Sequence, residues 1–146
     1  MGGSRNRDEG EVLLAAMQGE LMVTHFAGGT CCVSRARDVA ETFLADLKRA
    51  RPPNSRAAVD DVLLVVSELA ANSVRHAPGP FVLTLRDPGD AVHITVRDTS
   101  PEFPRLRPMD RFGKGGIGWN LIRLLASNSY VVAEPDGKSV HAFLPW

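Results

Sequence analysis

Glu68 and Asn72 lie four residues apart in the segment DDVLLVVSELAANSVRHA, residues 60–77. On a helix that offset stacks a carboxylate and a carboxamide on one face. Arg75 and His76 extend the row by a further turn. A carboxylate, an amide and a cation in one row beside a buried stripe form a candidate ligand surface. Glu-x-x-x-Asn alone also describes an ordinary solvated helix face, so the rest of the chain has to decide. The same segment carries Val62, Leu63, Val66, Leu69, Ala70 and Val74 at three- and four-residue steps. That apolar stripe would hold the polar row in place against a core.

A second carboxylate stands out by parity. In residues 91–98, Val92, Ile94 and Val96 alternate with His93, Thr95 and Arg97, and Asp98 falls on the apolar side. A carboxylate there is costly unless it has a partner or lies at an exposed strand end.

A third feature is glycine-rich. Gly113-x-Gly115-x-x-Gly118 matches the dinucleotide fingerprint literally, but PRLRPMDRF precedes it where that motif needs a hydrophobic strand. No Gly-Lys-Ser/Thr exists for a P-loop. What remains is more general: glycines at a helix start leave backbone N–H groups open to an anion. Arg105, Arg107, Arg111 and Lys114 lie just upstream with only Asp110 opposing them, which suits a polyphosphate.

The elements that must position these groups follow in order. Residues 21–26 read as a strand. Ser34 is expected to cap a helix to about residue 50, with Val39, Phe43, Leu44 and Leu47 inward and Arg51-Pro52-Pro53 ending it. Asn54 or Ser55 is expected to cap the helix of Glu68, which Pro78-Gly79-Pro80 stops. Residues 81–86 and 91–98 read as a hairpin, 100–112 as a loop and 117–126 as an amphipathic helix. Residues 130–134 and 139–144 read as a closing hairpin. Residues 11–18 are expected to form a short helix and 1–10 to be disordered. The expected fold is α+β: a two-layer sandwich with a mixed, mostly antiparallel sheet covered by about three helices on one face. Residues 1–19 read as a flexible extension and 20–146 as one domain.

The totals agree with a soluble globular chain of 146 residues, 44% hydrophobic and 23% charged. Seventeen basic and seventeen acidic residues cancel, so there is no global electrostatic case for nucleic acid or an anionic membrane. The longest apolar run, residues 12–17, is far too short to span a bilayer. Two adjacent cysteines, Cys31 and Cys32, argue against a disulfide framework and fit a reducing cytoplasm.

Taken in order, Glu68-Leu69-x-x-Asn72-x-x-Arg75-His76, Asp98-x-Ser100 and Gly115-Gly116-x-Gly118 resemble the GHKL nucleotide-binding superfamily. Within it the chain is most similar to the small anti-sigma-factor serine/threonine kinases of Gram-positive bacteria. The resemblance implies the Bergerat-type ATP-binding fold, with ATP and Mg2+ as ligands. It implies Glu68 as general base, Asn72 on the metal that bridges the phosphates, and Arg75 near those phosphates. It implies Asp98 as acceptor for the adenine amine, with Ser100 beside it, and Lys114, Gly115, Gly116, Ile117 and Gly118 around the triphosphate. Ser100 stands where the family usually has glycine. The implied partners are a sigma factor and an anti-anti-sigma protein that is phosphorylated, and a homodimer is allowed by analogy. Two other readings compete: a nucleotide-dependent partner-binding module that transfers no phosphate, and a structural domain without ligand.

Overall fold

The computed structural model describes residues 12–18, 21–77, 79–104 and 117–146, with Val12–Gln18 and Ile117 described by backbone alone. The expected disorder of residues 1–10 lies outside these residues, as do Arg105, Arg107, Arg111, Gly113, Lys114, Gly115 and Gly116. Six strands and three helices follow the order β1 (Val12–Gln18), β2 (Leu21–Phe26), α1 (Cys32–Ala50), α2 (Ala58–His76), β3 (Phe81–Arg86), β4 (Ala91–Asp98), α3 (Ile117–Leu125), β5 (Asn128–Glu134) and β6 (Gly137–Pro145). The strands form one sheet in the order β1-β2-β3-β4-β6-β5. Every pairing among them is antiparallel, which narrows the mixed sheet that the sequence suggested.

Alternation along each strand builds the core. Met22, Thr24 and Phe26 of β2 pair with Leu85, Leu83 and Phe81 of β3. Leu83 and Leu85 pair onward with Val96 and Ile94 of β4, which pair with Val140 and Ala142 of β6. All of these are buried, so one face of the sheet is apolar from β2 to β6. The face is covered by α1, through Ala36, Ala40, Phe43, Leu44 and Leu47, and by α2, through Val62, Leu63, Val65, Val66, Leu69 and Ala70. Each fully buried Val, Leu or Phe contributes about 1.5–3 kcal/mol. This layer of side chains therefore holds α2, and whatever α2 carries, rigidly on the sheet. The result is the two-layer α+β sandwich expected.

Three local expectations are corrected. Residues 12–18 form β1, not a helix. A seven-residue helix cannot recover its nucleation cost alone, whereas the free edge of β2 offers a ladder from Val12↔Phe26 to Gln18↔Leu21, with one register shift between Val12 and Leu14. The sheet thus begins inside the stretch that read as an extension. Ser34 does not cap α1: the helix starts at Cys32 behind Cys31, and the Ser34 hydroxyl donates back to the Cys31 carbonyl at 3.3 Å. Asn54 and Ser55 do not cap α2. The cap is Ala57, which makes no side-chain cap bond, and the Ser55 carbonyl accepts from Ala58 N–H at 3.4 Å. Asp60 and Asp61 in the first turn supply the negative charge a helix start favours.

The other face of the sheet carries a polar and aromatic row. Thr84 pairs with Thr95, Thr95 with His141, and His141 with Tyr130. His93 Nε2 and His141 Nδ1 are 3.0 Å apart, and His93 stacks on Phe143 with centroids 4.0 Å apart. Burial, then the neighbouring His141 and Arg86 charges, push the His93 pKa down to about 4. Burial lowers that of His141, against an opposing pull from Glu134. A depressed histidine favours the fold while neutral. Its contribution is complete above an unfolded value near 6.5 and is lost as pH falls toward about 4. Denaturant titrations at pH 7.5 and pH 4.5 should show His93→Gln losing about 1 kcal/mol less stability than the parent, once screening of a half-exposed group is allowed for. Equal losses would remove His93 as the sensitive group.

Candidate active site

One end of the sheet gathers the polar residues. There α2 presents Glu68 and Asn72, both half-buried, and Ser73, which is 1% exposed. Arg75 and His76 are exposed on the last turn of the helix. The start of α3 lies against this face. A Cβ added to Gly118 would sit 2.6 Å from Glu68 Oε2 and 3.8 Å from Asn72 Nδ2. Any side chain at 118 would therefore press on the carboxylate, and glycine lets the start of α3 come into close contact with the Glu68–Asn72 row. The structure thus brings Gly118, Glu68 and Asn72 together. Lys114, Gly115 and Gly116 lie outside the described residues, and of Ile117 only the backbone is described.

Asp98 is not a solvated strand end; it is 6% exposed and enclosed by donors. Oδ1 accepts from the Ser100 N–H at 3.0 Å, and Oδ2 from the Ser73 hydroxyl at 3.2 Å. Lys138 Nζ donates to both oxygens, at 2.9 and 3.0 Å. Lys138, 5% exposed, also lies 3.4 Å from the Ser100 carbonyl oxygen. Asp98 and Lys138 are directly opposite each other across β4 and β6. The departure at Ser100 is explained locally. Among the described residues no non-glycine adopts positive φ, so the turn after Asp98 does not need glycine. Ser100 instead gives its N–H to Asp98 and its hydroxyl oxygen accepts from Glu102 N–H at 3.2 Å.

Sequence reasoning missed Lys138 and Ser73. The signal for Lys138 was present: it shares the parity of Val140, Ala142 and Leu144, the same argument that singled out Asp98. Ser73 gave none, since a small residue between Asn72 and Val74 reads as helix filler.

Gly137 sets the Asp98–Lys138 pairing. A Cβ there would lie 2.0 Å from the Asp98 carbonyl oxygen and 2.8 Å from Thr99 Cα. Both are backbone atoms and cannot swing aside. Gly137→Ala is expected to cost about 2–3 kcal/mol in urea denaturation, as overpacking against a fixed backbone does. A loss below about 0.5 kcal/mol would show that the β6 turn relaxes freely.

The donor set fits a nucleotide with a divalent cation. A purine amine needs a buried acceptor, a part Asp98 can take by exchanging one of its present donors, and Asn72 stands beside the start of α3. Mg2+ takes hard oxygen ligands and usually only one or two from protein. Among the described residues no group of three or more His, Cys, Asp or Glu is placed to hold a metal by itself. Asn72 would supply a protein oxygen, and the metal would neutralise phosphate charge.

The family model described as a histidine kinase-like ATPase domain matches residues 32–143. No curated protein matches the chain. Among solved structures, the histidine kinase domain of the blue-light activated histidine kinase from Erythrobacter litoralis EL346 is similar. It has 18% identity and a TM-score of 0.46, with 75% of this chain and 60% of that chain covered. No helix among the described residues is long and apolar enough to cross a membrane.

Proposed function

Because the chain belongs to the histidine kinase-like ATPase domain family, we propose that it binds ATP with Mg2+ and acts as an anti-sigma-factor serine/threonine kinase. It would bind a sigma factor in the cytoplasm and phosphorylate a small anti-anti-sigma antagonist. The observation that carries this reading is the meeting of Glu68, Asn72 and Gly118 on one face of α2, with Asp98 bonded to Ser73 of the same helix. Asp98 is thereby tied to α2 at Ser73, the residue next to Asn72.

The roles follow from chemistry. Phosphoryl transfer needs positioning and charge neutralisation more than covalent catalysis. Asn72 would hold the metal, and Arg75, exposed on the last turn of α2, would add positive charge toward the phosphates. Glu68 orients the incoming serine or threonine hydroxyl and takes its proton as that oxygen bonds the γ-phosphorus and the γ-phosphorus bond to the bridging oxygen breaks, ADP leaving with the electron pair. Asp98 fixes the base through its exocyclic amine, an interaction strengthened by charge.

The direct test is incubation of the chain with labelled ATP, Mg2+ and proteins captured from its source, followed by detection of phosphoserine or phosphothreonine. Transfer to a captured protein is expected. A chain that binds ATP and its partner yet transfers nothing is the non-catalytic module instead. A chain whose melting does not respond to Mg·ATP at 100 times a plausible Kd, where about 2.7 kcal/mol is expected, binds no nucleotide.

Asn72→Ala gives a sharper check. It should lower ATP affinity about tenfold or more when Mg2+ is present and leave metal-free binding within about twofold. Titrations with and without EDTA decide it; equal losses in both would make Asn72 a structural residue.

A further inference from the structure

Lys138 has no part in the roles above, and its position asks for one. Burying an ammonium beside a carboxylate gives little net stability over an apolar pair of similar volume. The strands are already zipped alongside, through Val96↔Val140 and Ile94↔Ala142. An apolar pair would close this end of the sheet equally well.

The hydrogen-bond count shows what the charged pair offers. A carboxylate has about four acceptor directions. Those of Asp98 are filled by Ser100 N–H, the Ser73 hydroxyl and two contacts from Lys138. The ammonium has three protons. Two face Asp98, and the third has only the Ser100 carbonyl at 3.4 Å, longer than a good N–H···O bond. An amine arriving at Asp98 must displace a donor already there, and a displaced lysine proton needs a new acceptor. The edge of adenine presents an amine at C6 beside an unprotonated ring nitrogen at N1. That donor–acceptor order complements an acceptor, Asp98, beside a donor, Lys138.

We infer that Lys138 is a base-reading residue: its ammonium yields one Asp98 contact to the adenine amine and donates to N1. This rests on the ATP-binding reading above. It makes recognition a two-point match, with the lysine occupying the amine's place on Asp98 when no base is present.

Calorimetric titration of the full chain tests it with three triphosphates: ATP, 1-deaza-ATP, in which N1 is a C–H, and purine riboside triphosphate, which lacks the amine. The parent is expected to bind 1-deaza-ATP on the order of 10- to 100-fold more weakly than ATP, the loss of a charge-assisted bond. In Lys138→Met that ratio should fall to near one. Lys138→Gln, which keeps a weaker donor, should lie between and serves if Lys138→Met does not fold. Equal parental affinity for ATP and 1-deaza-ATP overturns the inference, as does a Lys138→Met variant that keeps the parental ratio. A parent that discriminates against purine riboside triphosphate but not 1-deaza-ATP keeps the adenine reading and loses the lysine. A parent that binds no ATP loses both.

Discussion

Glu68→Gln should lower phosphate transfer by at least about 10²-fold and leave ATP affinity within a few-fold of the parent. The substitution keeps shape and hydrogen bonding and removes basicity. Glu68 sits one turn before Asn72 and against the start of α3, where its Oε2 approaches the position of a Gly118 Cβ. On the proposed reading Asp98 works at the base and Glu68 at the phosphates. Its loss is therefore expected in the rate of transfer and not in binding. Single-turnover transfer and equilibrium binding of ATP, measured on the same preparation, separate the two. Parental transfer by the Gln variant would remove Glu68 from the mechanism. A large loss of ATP affinity would instead make it a binding residue.

Asp98→Ala should be the most damaging single change to the fold and should abolish detectable ATP binding. It removes the partner of Lys138 and strands a buried ammonium, a loss of about 3–5 kcal/mol when one half of a buried pair is deleted. A weak affinity could then reflect a partly unfolded chain. The double variant Asp98→Leu with Lys138→Met distinguishes the two causes. It deletes both charges and refills the space, so stability should return to within about 1–2 kcal/mol of the parent. ATP binding should not return, because no acceptor for the amine remains. Urea denaturation gives the first quantity and ATP titration the second. If the double variant regains ATP affinity, the carboxylate serves the sheet and not the base.

Most of the architecture could be read from the chain because its periodicities are strong. Val92, Ile94 and Val96 alternate without interruption, and the α2 stripe runs at helical spacing to Leu69 and Ala70. The errors fell where local signals compete with tertiary offers. Residues 12–18 have no clear period, and only the waiting edge of β2 makes them a strand. Ser34, Asn54 and Ser55 are residues that favour caps. The helices began elsewhere, because the glycine turn before α1 and the turn before α2 fix where the chain enters. Glu68, Asn72 and Gly118 were legible through their spacing and the order of the motifs. The partners of Asp98 were not: Ser73 is small and silent, and Lys138 lies 40 residues from Asp98 in sequence. Parity placed both charges on the inner face, but no local rule says that two such residues meet. That follows only from β6, not β5, lying next to β4.

The same adjacency has a consequence for how the chain is made. The sheet is three local hairpins, β1–β2, β3–β4 and β5–β6, joined along two non-local seams. Asp98 ends the second hairpin and Lys138 begins the last strand of the third, so the pair spans a seam. During synthesis the carboxylate emerges 40 residues before its counter-ion. Until then it must stay hydrated, since burying it alone is unfavourable. The end of β4 is thus kept from docking early, and the last hairpin both completes the sheet and permits Asp98 to be buried. Pairing strands over that distance carries a larger closure entropy than forming a local hairpin, so it comes late. Assembly of the site is therefore coupled to the final long-range step of folding, and a chain halted before β6 would hold α2 and its Glu68–Asn72 row without the pair at the base end.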